Sequence, residues 1–380
     1  MAGELAFASA CGLDILLAVF EGIGQASSRS GEPRLDPIRD ATYRTQRFYL
    51  GLRRIALYEP KGMDPVVVDR THILVLNYNG RELLAECLPS IVAAAARASV
   101  PCPVTVIDNS STDDSREFLR KSWPTVGLIS EPNLGLASFN RVLARLDEPV
   151  VFLLNNDVKL DPDAIDPLVA VFAEHDDALF SAPQCWSFDG REYEGMRTRV
   201  RSRFGIVQGM CRVPGHETMV GLPDLTASAG PILAVDRRRF LELGGYDPIF
   251  FPGRIEDLDL GFRGWMAGWK GYYVPGSLSY HRGFGSFGPV HGRAGCDRLA
   301  ARNSLIFAWK NLSGLRLARH LAWLPIRLVH ALGTFRPTFA LAFAEALARR
   351  REVLSARRAL AVGEEGWVTR QEAYFRQFRW

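Results

Sequence analysis

Two short acidic stretches contain side chains suited to catalysis, and the first follows an apolar run. Val150–Leu154 leads directly into Asn155-Asn156-Asp157. Such a run is typical of a strand buried on both faces of a parallel sheet, whose carboxyl edge binds ligands. The Asp157 carboxylate is a hard oxygen ligand, which suits Mg²⁺ or Mn²⁺. A capping turn is the alternative, because Asn and Asp also favour turns.

The second stretch is Glu256-Asp257, with Asp259 close behind it. Crowded carboxylates raise one another's pKa, and a carboxylate with a raised pKa is better suited to take a proton from a hydroxyl group. The alternative is a solvated acidic start of a helix.

The elements before these residues alternate between strands and helices. Short apolar runs are followed by segments with helical spacing, which indicates βαβ units and a parallel sheet flanked by helices. Three of the runs end in polar clusters: Asn77-Tyr78-Asn79, Asp108-Asn109-Ser110-Ser111 and Asn155-Asn156-Asp157. Since parallel strands end at one edge, we expect these clusters to line one pocket.

The later part of the chain is less regular. Residues 186–225 are predicted to be a loop-rich insertion. A strand at 227–235 and a helix at 237–245 follow it, and a short strand at 271–274 precedes His281. The N-terminal residues contain a possible short helix at 13–20 and give no chemical signal.

Composition excludes several classes of protein. The 380 residues are 47% hydrophobic and 23% charged with a net charge of +4, so neither disorder nor nucleic-acid binding is expected. Six separated cysteines form no zinc or redox motif and suit a reducing cytoplasm. We expect no secretory signal and no spanning helix. A dinucleotide oxidoreductase is disfavoured, because no Gly-x-Gly-x-x-Gly follows the first strand.

The tail after Leu315 is strongly basic, with twelve Arg and no Lys against five Glu and no Asp. Leucines at 317, 321, 324, 328 and 332 share one helical face, and Arg316, Arg319, His320, Arg327 and His330 share another. A basic amphipathic helix of this kind binds anionic membrane surfaces. Packing of the leucine face on the main domain is the alternative.

Taken in order, the motifs resemble those of the family-two inverting glycosyltransferases with the glycosyltransferase A fold, in particular the rhamnosyltransferase-like group. The resemblance covers about residues 71–311. Its elements are Asn77-Tyr78-Asn79, Asp108-Asn109-Ser110-Ser111-Thr112-Asp113, Asn133-Leu134-Gly135 with Asn140, Asn155-Asn156-Asp157, Gly230 with Arg237, Gly244-Gly245-Tyr246-Asp247, Glu256-Asp257-Leu258-Asp259-Leu260 and His281. Together they form a specific ordered set, although each is weak alone.

The resemblance implies roles for individual residues. Asp257 is the general base that deprotonates the acceptor, with Glu256 beside it, and Asp259 and Arg237 are assigned to the acceptor. Asp157 binds Mn²⁺ or Mg²⁺ with help from His281, since the commoner first Asp of the metal motif is Asn155 here. The donor, a UDP- or dTDP-linked sugar, is assigned to Asn77, Tyr78, Asn79, Asp108, Asn133, Asn140, Asn155, Asn156 and Gly230.

The resemblance also implies an organisation and a location. Residues 1–70 are an extension of unassigned role, and residues 313–380 are a basic helical tail. Residues 71–312 are the catalytic domain, with a nucleotide-binding half (71–185) and an acceptor half (226–312). The acceptor is a glycan or a polyprenyl-linked sugar at the cytoplasmic face of the membrane. The alternatives are a sugar nucleotidyltransferase and a catalytically inactive scaffold that binds a glycan or partner.

Overall fold

The structure, a computed structural model, describes residues 66–212, 214–283, 287–335 and 337–380, without side-chain detail at 287–289. The expected helix at 13–20 and nearly all of the predicted extension lie outside the described residues. Of the described residues, 66–201, 208–296 and 374–380 form one compact unit, the sheet unit. Residues 202–207 and 297–373 form a second, the helical unit.

Strands and helices alternate through the first half of the chain. The strands are β1 (Thr71–Asn77), β2 (Val104–Asp108), β3 (Gly127–Ser130), β4 (Val150–Asn155), β5 (Val158–Leu160), β6 (Ala178–Ser187), β7 (Tyr193–Gly195), β8 (Arg199–Arg203), β9 (Ile206–Met210), β10 (Asp224–Leu225), β11 (Ile232–Asp236) and β12 (Lys270–His281). The helices are α1 (Arg81–Arg97), α2 (Ser115–Ser122), α3 (Ser138–Leu143), α4 (Ile165–Glu174), α5 (His216–Met219), α6 (Arg237–Glu242), α7 (Glu256–Met266), α8 (Phe287–Asn311, interrupted at Gly292), α9 (Gly314–Gly333), α10 (Thr338–Ala348), α11 (Arg350–Ala359) and α12 (Trp367–Gln377).

Ten strands form one mixed sheet. Along it the order is β10-β12-β6-β11-β4-β1-β2-β3, with β5 paired to β12 and β7 to β6, while β8 and β9 form a separate two-stranded sheet. Strands β1 to β4 are mutually parallel, as the alternating pattern predicts, whereas β11 runs antiparallel to β4. The predicted architecture, a mostly parallel sheet flanked by helices with a helical C-terminal region, is confirmed.

The core of the sheet unit lies between the sheet and helices α1 and α4. The central strands contribute Ile73, Val75 and Phe152, and they pack against Leu88 and Phe172 of the helices, all of them nearly or wholly inaccessible to solvent. This burial of β-branched and aromatic side chains is the main force that holds the strand ends in place.

Two elements differ from the sequence-based expectation. The 186–225 segment, predicted to be loop-rich, contains β7 to β10 and α5. The predicted short strand at 271–274 is the longer β12, which pairs with β6 across a register shift between Val274 and Leu278. Local patterns missed both, because short edge strands and irregular ones are defined by their partners more than by their own periodicity.

The helical unit has its own core. Trp309 packs edge-on against Phe343, with ring centroids 5.9 Å apart, and Leu317 and Leu324 are buried beside them. His320, which the sequence placed on the basic face, is also buried. It accepts a hydrogen bond from Trp309 Nε1 (3.0 Å) and faces the Gly205 carbonyl, and burial lowers its pKa to about 4. Leu317 and Leu324 of the leucine face therefore pack inward, whereas Leu332 at its C-terminal end is exposed, and His320 is neutral.

Candidate active site

The polar strand ends lie side by side at one edge of the sheet. Asn77 is in register with Asp108, Asp108 with Ser130, and Leu76 with Asn155. The edge thus brings together the three polar clusters that the sequence placed at strand ends.

Asp108 is the most enclosed acid of this edge. It is fully buried, and its Oδ2 accepts a hydrogen bond from the Ser111 backbone N–H (3.1 Å) and lies 3.7 Å from Arg116 Nε. Within the described residues its Oδ1 has no hydrogen-bond partner. A buried carboxylate oxygen in that state gains free energy from any ligand that supplies an N–H or O–H.

Asn77 and Asn156 support this edge from behind. The Asn156 Nδ2 donates to Asn77 Oδ1 (2.7 Å), and Asn77 Nδ2 donates to Ser111 Oγ (3.3 Å). The pair is packed so closely on Gly80 that a Cβ there would lie 2.0 Å from Asn156 Nδ2. Both amides are buried and bonded within the protein, so the structure gives them a framework position in place of the predicted direct contact with the donor.

Two further asparagines hold loops. Asn79 Oδ1 accepts from the Thr112 backbone N–H (2.7 Å), and Asn133 Oδ1 accepts from that of Gly135 (3.1 Å). These contacts shape the loops after β2 and β3, as short polar side chains often do. Tyr78, which lies between Asn77 and Asn79 just after β1, is 38% exposed and is the accessible ring of this cluster.

Sheet register brings His281 to Asp157. His281 pairs with Val158, the residue after Asp157, because β12 runs antiparallel to β5. The imidazole Nε2 lies 3.5 Å from Asp157 Oδ2. Burial lowers the pKa of His281, but Asp157 and Glu194 outweigh it and raise that pKa to about 9. The two predicted ligands thus form an ion pair.

Glu194 was not predicted. It lies on β7, and its Oε2 is 3.8 Å from His281 Nδ1, while Arg212 donates to its Oε1 (2.6 Å). The imidazole is therefore bracketed by two carboxylates. No motif marks Glu194, because it stands in the segment whose strands the sequence did not reveal.

Glu256 and Asp257 open helix α7 after two non-glycine residues in left-handed backbone, Arg254 (φ 81°) and Ile255 (φ 74°). Such strain is costly for a β-branched residue and concentrates at functional sites. Burial and the neighbouring Asp257 raise the pKa of Glu256 to about 8. Burial also raises the pKa of Asp257, against hydrogen bonds from backbone groups and Ser228.

Ser228 connects this acidic pair to the strand edge. Gly230 lies two residues after Ser228 and is followed by Pro231. The Pro231 carbonyl accepts a hydrogen bond from the Asn155 backbone N–H (2.9 Å). Helix α7 lies directly on the segment, since a Cβ on Gly261 would be 2.0 Å from the Ala227 carbonyl oxygen. Asp257 and Gly230 therefore lie on one continuous path to the end of β4.

Asp259 lies beneath the acidic pair. It is fully buried and accepts from Arg263 Nε (2.7 Å), and the same guanidinium donates to the carbonyls of Leu243 and Gly245 (2.7 Å each). The structure therefore gives Asp259 a framework position instead of the predicted contact with the acceptor, because its carboxylate has no solvent-accessible surface.

Asn140 holds the same Gly244–Tyr246 turn from the other side. Its Nδ2 donates to the carbonyls of Gly244 (3.3 Å) and Tyr246 (2.8 Å), and its Oδ1 accepts from Tyr246 N–H (2.9 Å). Gly245, at φ 67°, approaches so closely that a Cβ would lie 2.2 Å from Asn140 Oδ1. Both ends of the amide are used, so this residue positions the turn and not a base or phosphate.

Replacing Asn140 with Ala should therefore destabilise the sheet unit. We expect the free energy of unfolding to fall by about 2–3 kcal/mol, because three backbone groups, two of them in buried hydrogen bonds, lose their partner. Urea denaturation measures this loss. Asn133→Ala, which removes one hydrogen bond in a half-buried loop, is the matched control and should cost less than about 1 kcal/mol. Equal stability of the two variants would contradict the role given to Asn140.

Arg237 lies far from this edge. Because β11 is antiparallel to β4, Asp236 pairs with Val150 at the opposite end of the strand, and Arg237 Nε donates to the Glu148 carbonyl (3.1 Å). The length of β4 separates it from Asp157, roughly 20 Å at the rise of a strand. The predicted acceptor contact of Arg237 is thus replaced by a structural one.

A small depression beside Glu256 is lined mainly by apolar residues, among them Leu134, Leu136, Phe250 and Phe251. Across the described chain, no three His, Cys, Asp or Glu side chains are grouped to hold a metal ion. A cation at Asp157 therefore needs oxygen ligands from elsewhere.

Comparison with known proteins relates part of the chain to a family of enzymes. Residues 72–228 match the model of glycosyl transferase family 2. Over these residues the chain is similar to the family 2 glycosyltransferases. A relative from Mycobacterium tuberculosis, N-acetylglucosaminyl-diphospho-decaprenol L-rhamnosyltransferase, is 28% identical over 57% of this chain and 76% of its own length. The prediction of a glycosyltransferase is confirmed, and the nucleotidyltransferase alternative is set aside.

Similar solved structures were also found, at low identity. A mannosyltransferase from Pyrobaculum calidifontis, in complex with GDP-Man and Mn²⁺, is 17% identical, with a TM-score of 0.44 over 99% of this chain and 97% of its own. GalNAc-T7 with UDP, GalNAc and Mn²⁺ is 19% identical, with a TM-score of 0.44 over 56% of this chain and 43% of that one. TarS of S. aureus with UDP is 15% identical, with a TM-score of 0.41 over 78% and 92%.

Proposed function

We propose that this glycosyltransferase moves a sugar from a UDP- or dTDP-linked donor to a lipid-linked or glycan acceptor, with inversion at the anomeric carbon. The observation that carries the proposal is the path from the Asp257 carboxylate through Ser228 and Gly230 to the strand edge at Asn155. The rhamnosyltransferase relative, whose name specifies a diphospho-decaprenol acceptor, supports the acceptor class and a role in cell-envelope polysaccharide synthesis.

The donor nucleotide binds at the ends of β1 and β2. Asp108 Oδ1, buried and without a partner among the described residues, accepts a hydrogen bond from the base or ribose. The exposed ring of Tyr78 stacks on the base, while Asn79 and Asn133 hold the surrounding loops.

A divalent cation fits beside Asp157. The carboxylate and the imidazole of His281 face each other at 3.5 Å. If the cation displaces the proton that His281 holds in this ion pair, the resulting oxygen-plus-nitrogen set would favour Mn²⁺ over Mg²⁺. With two protein donors, the coordination depends on the diphosphate oxygens of the donor. When bound, the cation neutralises the charge of the departing nucleoside diphosphate.

Asp257 acts as the general base. Its raised pKa suits removal of the proton from the acceptor hydroxyl, whose oxygen then forms a bond to the anomeric carbon as the bond to the nucleoside diphosphate breaks. Attack on the face opposite the leaving group inverts that carbon. Glu256, next to Asp257 at the start of α7, orients the acceptor hydroxyl.

Asp157→Ala tests the metal assignment. We expect Mn²⁺-dependent binding of UDP, measured by calorimetry, to weaken at least about tenfold, because the carboxylate that faces His281 Nε2 is lost. Binding without Mn²⁺ should change little, and the exposed Asp163→Asn is the matched control. Undiminished Mn²⁺-dependent binding would place the metal elsewhere.

The proposed location is the cytoplasmic face of the membrane, as a peripheral protein. In the described ranges no helix has the length and apolar content needed to cross a bilayer. A lipid-linked acceptor makes contact with the bilayer surface useful, because the acceptor sugar projects only a short distance from it.

A further inference from the structure

Helix α9 is apolar on two opposite faces. Its inner face buries Leu317, Leu324 and Ala331 in the helical unit. On the other side Leu315, Ile326 and Val329 are 63%, 56% and 72% exposed. The spacing of 11 and then 3 residues returns these three to one side of the helix. A surface helix normally carries polar residues on its outer side, so this second apolar face is unusual for a solvated helix.

Two further exposed apolar residues lie in the last turn of α9 and just after its end. Leu332 is 65% exposed and Phe335, in the turn before α10, is 92% exposed. We call Leu315, Ile326, Val329, Leu332 and Phe335 the outer strip. A contiguous apolar surface of this kind marks contact with another protein or with a membrane.

The charges around the outer strip distinguish a membrane from another protein as its partner. No Asp or Glu occurs between Asp297 and Glu345, whereas seven Lys or Arg residues do. Arg316 is bound to Glu372, and Arg327 to the carbonyls of Phe204 and Arg203, so both are used inside the helical unit. Arg319 and His330 are exposed and flank the strip along one side.

We infer that the outer strip binds the surface of an anionic bilayer, with α9 lying in the membrane plane. The apolar side chains enter the boundary between headgroups and acyl chains, and Arg319 binds lipid phosphates. Pairing with a second copy is disfavoured, because it brings two acid-free, basic surfaces together. Membrane binding would bring the enzyme to a lipid-linked acceptor, and only this biological role of the outer strip rests on the proposed function.

Vesicle sedimentation of the full-length protein tests this surface. Wild type should bind phosphatidylglycerol-containing vesicles more tightly than pure phosphatidylcholine vesicles. Ile326→Glu/Val329→Glu should lower the affinity for the anionic vesicles by at least about tenfold. Arg319→Glu should lower it by about fivefold or more and reduce the preference for anionic lipid. Val67→Glu, which changes an 83% exposed apolar residue of the sheet unit, should leave binding unchanged.

Three results would overturn the inference. They are wild-type-like binding by the double variant, equal binding of wild type to both kinds of vesicle, and a wild-type dimer that the double variant dissociates while neither binds vesicles. Ile326→Ser/Val329→Ser should also bind the anionic vesicles weakly while keeping the wild-type unfolding midpoint. This variant shows that weak binding does not come from misfolding. Sugar transfer to a soluble acceptor is measured in parallel. Its absence would count against the proposed function and leave the vesicle result intact.

Discussion

Replacing Asp257 with Asn is expected to lower kcat for sugar transfer by about 10²–10⁴-fold, because the amide cannot accept the acceptor proton. The change keeps the shape of the side chain, so binding of UDP should stay close to wild type. Steady-state transfer and calorimetry measure the two quantities. Asp163→Asn, an exposed carboxylate paired with Arg97, is the matched control and should change neither.

The pH profile gives this prediction a second measurement. Burial raises the pKa of Asp257 above its ordinary 3.8, so kcat should fall as the pH drops toward that raised value. In Asp257→Asn the acid limb due to this group should disappear from the residual activity. Transfer at the wild-type rate would remove Asp257 from the mechanism, and a wild type that binds the nucleotide but never transfers would support the scaffold alternative.

Replacing Arg263 with Met is expected to lower the free energy of unfolding by about 3–5 kcal/mol. The change leaves the Asp259 carboxylate buried without its charged neighbour and removes donors from the carbonyls of Leu243 and Gly245. Urea denaturation measures the loss. Activity should fall as well, because the turn that leads to Glu256 loses one of its two supports.

Two further variants distinguish the cost of burying an unpaired charge from the cost of losing an ion pair. Arg97→Met breaks an exposed ion pair with Asp163 and should cost less than about 1 kcal/mol. The double variant Asp259→Leu/Arg263→Met should recover part of the lost stability, because no charge is then left buried. If the double variant were less stable than Arg263→Met alone, the unpaired charge would not be the cause of the loss.

Much of the sheet edge formed by the ends of β1, β2 and β4 follows from local sequence. Each apolar run followed by Asn or Asp predicts a buried strand and its polar end, since both signals lie within ten residues of one another. Parallel pairing then requires the ends of β1, β2 and β4 to meet, and the observed register of Asn77, Asp108 and Asn155 does so. Glu256-Asp257 is a local signal of the same kind.

Tertiary structure alone decided the rest, because it depends on strand direction and on partners distant in sequence. Arg237 follows a strand whose antiparallel pairing takes it to the opposite edge, and no local pattern specifies that direction. Asn140 binds a turn more than 100 residues away, and Glu194 meets His281 only through the pairing of β7 with β6 and of β6 with β12. Leu317 and Leu324 of α9 pack inward, whereas Leu332 of the same predicted face lies in the exposed outer strip, which the sequence did not reveal. The sequence by itself determined which residues could do the chemistry, whereas the fold decided which of them meet, since side-chain contacts across a sheet are set by register and not by spacing.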